Sequence, residues 1–174
     1  MQVQVVVSVV MESKEGKEEA KACEAESKAD GCDGSEAVEH IDVQAIRFHG
    51  DAALCPVEDA LGFDVDFVAQ RSIQQAFWEV KYLVDTVSKR NIIVLGRTQV
   101  QDYNGASNFS FQVDNVSVSH IKPSHLSNAG LLICTLIEGQ EEIAEIKMVV
   151  QVAPQKLPGT SEETYVRCIY NPLE

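Results

Sequence analysis

Two histidines five residues apart, His120 and His125, stand ahead of Cys134 and are the chain's nearest approach to a metal-ligating set. Structural zinc sites use tighter ligand pairs than this, so no metal is expected and both histidines are read as polar loop residues. Cys134 lies inside the apolar run LLICTL, where a small buried thiol is the simpler reading. Asp64 and Asp66 share one face of the alternating run GFDVDFV, and a solvated strand face gives such a pair no reason to act as acid and base. No GxSxG elbow, P-loop, HExxH, GxGxxG or CxxC occurs. The expectation is a protein without catalysis or cofactor, whose function is binding.

The chain has 174 residues, 45% of them hydrophobic, enough for one ordinary domain with one core. Its 27 acidic residues against 14 Lys and Arg give a net charge of −13. That balance argues against a phosphate-neutralising surface, so direct nucleic-acid binding is not expected, and a cationic partner is easier to accommodate. The five cysteines (Cys23, Cys32, Cys55, Cys134, Cys168) form an odd set without a cleavable signal ahead of them, which favours a reducing compartment, nuclear or cytoplasmic. The opening run VQVQVVVSVV is too short to span a bilayer, which needs about 20 helical residues, so no membrane role is expected. It reads as a strand, an extension or a sticky edge.

Residues 11–40 hold ten acidic side chains and no Ile, Leu, Phe, Tyr or Trp. Such a stretch buries too little apolar area to offset its ordering entropy, and it is expected to be a mobile acidic segment. Residues 1–40 are thus assigned to an extension and 41–174 to a folded domain. From Ile41 onward, eight β-rich runs follow one another, separated by turn residues: IDVQAIRFHG, GFDVDFVAQ, FWEVKYLVDT, NIIVLGRTQVQDY, NFSFQVDNVS, AGLLICTLIEG, EEIAEIKMVVQVA and YVRCIYNP. Regular spacing without long helical patterns predicts an all-β antiparallel sandwich of about eight strands. Phe63, Val65 and Phe67, then Trp78, Val80 and Tyr82, are its expected inward faces, as are Phe109, Phe111 and Val113. Asn104-Gly105 and Gly139 predict hairpins, and Pro123 predicts a single helical turn ending before Gly130.

These runs, taken in order, resemble the anti-silencing function histone chaperones. VQAIRF and then FDVDF look like that family's first two strands, WEVKYL its tryptophan strand, and FSFQVD the strand that follows. LICTLIEGQEEI resembles its long central hairpin with a Gly-Gln-Glu turn, and VRCIYNP its arginine-containing terminal strand. The matches run from about Val43 to Asn171. The resemblance implies an immunoglobulin-like sandwich in the nucleus that binds the histone H3–H4 dimer without chemistry. One concave face would take a helix of H3, through Leu83, Gly130, Leu132 and Ala144 or Glu145. The H4 tail would add as a strand near Val150, Val152 and Val166.

The sequence also departs from the family. The family's central β-branched contact falls on Gly130, its arginine after the turn on Ala144, and its acidic contact before the fourth strand near Ile92. Its acidic residues on the opposite face, which meet partner chaperones, appear as Gln74 and Gln75. Losing an arginine and a carboxylate removes charge-assisted hydrogen bonds of the kind that dominate interfaces. An alternative therefore stays open: the same sandwich as an adaptor with a non-histone partner, for example in a cytoplasmic cytoskeletal or axonemal assembly.

Overall fold

A computed structural model describes residues 40–84, 90–156 and 163–174. The opening apolar run and all but the last residue of the acidic segment lie outside them. Eight strands form in chain order, β1 (Ile41–Phe48), β2 (Leu54–Pro56), β3 (Leu61–Val84), β4 (Asn91–Arg97), β5 (Gln101–Val113), β6 (Gly130–Glu138), β7 (Glu141–Lys156) and β8 (Glu163–Tyr170). One helical turn, α1 (Pro123–Leu126), precedes β6. Every pairing is antiparallel, and the fold is the expected all-β sandwich of eight strands, formed by one sheet curled over on itself.

The layers share a strand. The runs GFDVDFVAQ and FWEVKYLVDT read as two strands in the sequence, yet both belong to β3. Its first half pairs with β1 and β5 (Phe63 opposite Phe48 and Phe111), and its second half pairs with β4 and β6 (Leu83 opposite Ile92 and Leu131). β7, β8 and β2 then extend the second layer from β6. Between the halves the ladder slips twice, around Ile73, and Gln75 adopts φ of 49°. A bulge of this kind releases backbone donors, and carboxylates receive them. Gln74 N–H donates to Glu138 at 2.7 Å and Gln75 N–H donates to Asp102 at 2.7 Å. Arg71 also binds Glu138, at 2.6 Å. Glu138 is held below the usual carboxylate range, chiefly by the Arg71 hydrogen bond and then by the Gln74 amide.

Folding β3 over brings the two apolar faces together. Trp78 from the second layer stacks on Phe109 from the first with ring centroids 4.3 Å apart, and Phe67 meets Trp78 edge-on at 5.6 Å. Phe63, Val65, Phe67, Trp78, Val80, Tyr82, Phe109 and Phe111 are all buried, as alternation predicts, while Val113 is half-buried against the same core. Gly139 has φ of +64° in the β6–β7 turn, and the Pro123 turn forms. The Asn104-Gly105 hairpin does not form. Gly105 has φ of +61° but sits within β5 opposite Ala69, where β5 follows the bend of β3. NIIVLGRTQVQDY, read as one run, divides into β4 and the start of β5 at residues 98–100.

The irregular loop before β3 is held from inside by Arg167. Its guanidinium is buried and donates to the carbonyls of Ala52, Val57, Asp59 and Ala60 at 2.5–3.1 Å. Burial lowers its proton affinity below that of an exposed guanidinium. This anchor fixes the short strand β2 against β8, where Leu54 to Pro56 pair with Cys168 to Val166. Arg167→Ala is expected to destabilise the fold by at least about 3 kcal/mol in a denaturant titration, since each enclosed acceptor left bare costs roughly 1–3 kcal/mol. A loss within about 0.5 kcal/mol, the range of ordinary surface substitutions, would show that the loop does not depend on the guanidinium.

Candidate partner-binding face

Alternation gives the second layer one face on the core and one toward solvent. On β3, β6, β7 and β8 the inward residues are Tyr82, Leu132, Val150 and Ile169, in register with one another along successive strands or lying on the same side. The residues between them point outward. Their register places Ile92, Leu83, Leu131, Val149 and Tyr170 directly opposite one another in turn, one apolar row across five strands. Ile92 is 64% exposed, Val149 43% and Tyr170 49%.

A second row runs beside it, Val94, Lys81, Ile133 and Lys147. A third carries Arg97, Glu79, Thr135 and Glu145. The face thus grades from apolar at one end to charged at the other. Glu79 is only 5% exposed and takes both neighbouring cations, Lys81 and Arg97, the latter at 2.7 Å. Arg97 in turn lies over the Phe77 ring, 5.1 Å from its centroid. The hydrogen bond from Lys81 is the main reason the Glu79 carboxyl stays below its ordinary 4.5; burial opposes this, and Arg97 adds to it. Glu145 pairs with Lys147 on the same face.

The residues assigned from sequence divide between the two sides. Leu83 and Glu145 lie on the open face. Leu132, Ala144, Val150 and Val152 do not, because their side chains are buried in the core. Gly130 is also buried: a Cβ there would come 2.7 Å from the Leu83 carbonyl oxygen and 2.9 Å from the Tyr82 ring. The residues that reach the face are their neighbours Leu131, Ile133, Lys147 and Val149. In a strand an offset of one residue exchanges the two faces entirely. The inward polarity of LLICTL and IAEIKMVV is weakly marked, because both parities are largely apolar, and the signal that could have set it is the Glu145, Lys147 alternation.

The edge expected to receive an added strand is also occupied. β7, with Val150 and Val152, lies between β6 and β8. The outer side of β8 at Val166 carries β2, and flanking bonds from Val57 N–H to the Tyr165 carbonyl and from Ile169 N–H to the Ala53 carbonyl close it further. Gln74 and Gln75, whose side chains are exposed, sit in the β3 bend with their amides already committed to carboxylates.

Cys134 faces the core between Val80 and Ile146, and burial pushes its thiol upward. His120 is exposed in a turn and His125 lies in α1. Among the described residues no group of three or more His, Cys, Asp or Glu comes together as a metal site, and no helix is long and apolar enough to cross a membrane. Asp64 and Asp66 bind His49 at 3.1 Å and Arg47 at 2.6 Å on the outer side of the first layer. Comparison of the sequence with protein-family models and with curated proteins finds no match.

Two outcomes test this account. Gly130→Ala should cost about 1–3 kcal/mol, since the added methyl meets backbone on one side and a packed ring on the other; a neutral substitution would contradict the close approach. Glu79 carries a depressed folded value, so its contribution is complete above 4.5 and is lost as pH falls through that folded value. Glu79→Gln should lower stability by about 1 kcal/mol near neutrality and converge with the parent protein in acid. A gap that persists unchanged at about pH 3 would show that the carboxylate charge is not its source.

Proposed function

We propose that the protein is a non-catalytic nuclear chaperone for the histone H3–H4 dimer, which docks an amphipathic helix on the open face of the second layer. The observation that carries this reading is the row from Ile92 through Leu83, Leu131 and Val149 to Tyr170. An apolar stripe with a polar rim on an otherwise wetted sheet suits the hydrophobic side of a helix. The charge of the whole chain, −13, supports a basic client. The order of the sequence runs that resemble the anti-silencing chaperones supports the same client.

The outward residues change what the departures from the family mean. Leu131 and Ile133, rather than Gly130, supply the central apolar contact. Glu145, rather than Ala144, follows the turn on that face, a carboxylate where the family carries arginine. Binding here would then lean on apolar contact, with the overall negative charge of the chain rather than the face itself drawing in a basic client.

Size exclusion with light scattering at two salt concentrations, using the full chain and purified H3–H4, tests the reading. A complex with one H3–H4 dimer is expected. Leu131→Glu with Val149→Glu should weaken it by on the order of 2 kcal/mol or more, as central anchors do, while the isolated protein keeps its β-sheet circular dichroism. Absence of any complex from the folded parent would overturn the histone reading.

Ile92 and Glu145 favour the adaptor as the second reading, since each stands where the family uses the opposite kind of side chain. In that case the same face would take an amphipathic helix of another assembly protein, and the double substitution would abolish that capture while H3–H4 never bound.

A further inference from the structure

Arg167 has more donors than the loop it holds can use. A guanidinium carries five N–H groups. Nε donates to the Ala52 carbonyl, Nη1 to those of Val57 and Asp59, and Nη2 to that of Ala60, which commits four of them. The second N–H of Nη2 has no acceptor among the described residues, although Arg167 is only 2% exposed. A buried donor without an acceptor is costly, so this one calls for a partner.

Tyr82 presents the same need from the other side. It is 4% exposed, and its hydroxyl has no hydrogen-bond partner among the described residues. Burial pushes the phenol up to about 12 and the Arg167 charge pulls it back, so the two groups feel one another while the hydroxyl keeps its proton at neutral pH. Trp78 Nε1 and Tyr103 Oη are also buried without a bond, but those two lie beside each other and beside Thr98 and Gln101. The space in front of Tyr82 has no polar side chain except Arg167.

That space is one internal cavity, lined by Tyr82 and Arg167 together with Val57, Leu61, Leu132 and Val150. Its free volume is about 10 Å³, close to the least that holds one water molecule and too little for a larger ligand. A buried water needs two to four polar partners. The Tyr82 hydroxyl and the fifth guanidinium N–H are two, and the Val57 carbonyl keeps a second lone pair beside the one that Arg167 uses. A halide would match the volume, but taking an anion out of water into apolar walls costs far more than enclosing a neutral molecule, and the charge of −13 opposes it as well.

We propose that this cavity binds a single water molecule, which accepts the fifth N–H of Arg167 and hydrogen-bonds to the Tyr82 hydroxyl. The water ties the arginine that gathers the loop before β3 to the second half of β3 itself, so the loop is fastened to the middle of the second layer. Gly130 belongs to the same arrangement: a Cβ there would stand 2.9 Å from the Tyr82 ring and 3.4 Å from its hydroxyl, and glycine leaves the phenol where it reaches the cavity. None of this rests on the histone reading, since the cavity lies inside the sandwich and the open face outside it.

Diffraction to about 1.5 Å from crystals of the full chain tests the proposal. A density peak is expected at about 2.6–3.2 Å from both Tyr82 Oη and Arg167 Nη2. In Tyr82→Phe that peak should vanish while the four carbonyl bonds of Arg167 remain. In solution, oxygen-17 relaxation dispersion should count one long-lived water fewer in Tyr82→Phe than in the parent. A parent structure without the peak overturns the proposal, and so does a peak that persists in Tyr82→Phe or an equal count of long-lived waters. Anomalous scattering at the peak in parent crystals grown in bromide assigns a halide and overturns it too. The parent crystals, with and without bromide, decide the matter on their own if Tyr82→Phe does not fold.

Discussion

A single strand serving two layers is the constraint on which this structure depends. β3 is 24 residues long, and every other strand either pairs with it or is reached through one that does. Two separate strands joined by a loop would leave the layers free to choose their relative placement. A continuous strand with a two-step bulge removes that freedom, and the backbone donors released at the bend must then find acceptors. Glu138 and Asp102 supply them from β6 and β5, so each layer contributes to holding the turn that joins both. The stacking of Trp78 on Phe109 follows from the same fold-over.

Much of this was legible in the residues. Period-two alternation in GFDVDFV and FWEVKYLV gives the inward faces without error, because one parity is aromatic or aliphatic and the other carries Asp, Glu or Lys. Gly139 announces its turn, since the left-handed φ there suits glycine. The continuity of β3 was not legible: AQRSIQQA is polar and resembles a loop, and only the pairing of both halves with third strands keeps it extended. Asn104-Gly105 misleads in the opposite direction. Its glycine does adopt positive φ, but to follow a bend within a strand. β2 is three residues long and exists because a buried arginine gathers the carbonyls around it, a tertiary cause with no local signal.

The candidate face shows how a small error in reading becomes a complete one in space. Leu83 and Glu145 fall on the open side, whereas Gly130, Leu132 and Ala144 face inward, a difference of one residue in each strand. Both parities of β6 are apolar, so composition does not mark which side is wet. The decision lies in cross-strand register with Lys81 and Lys147, charges that have no place in a core. Arg167 is the exception that register permits, an inward cation made tolerable by four carbonyl acceptors.

The apolar row has a thermodynamic character set by where its members sit. Ile92, Leu83, Leu131, Val149 and Tyr170 all belong to strands, and none is on a loop. Backbone freedom at these five positions is spent during folding, before any partner arrives. Association therefore orders little more than side-chain rotamers on this side, and most of the conformational entropy lost falls on whatever is bound. A rigid plate of this kind discriminates by shape: it cannot remould itself around an ill-fitting guest, so its selectivity resides in the partner's ability to become helical.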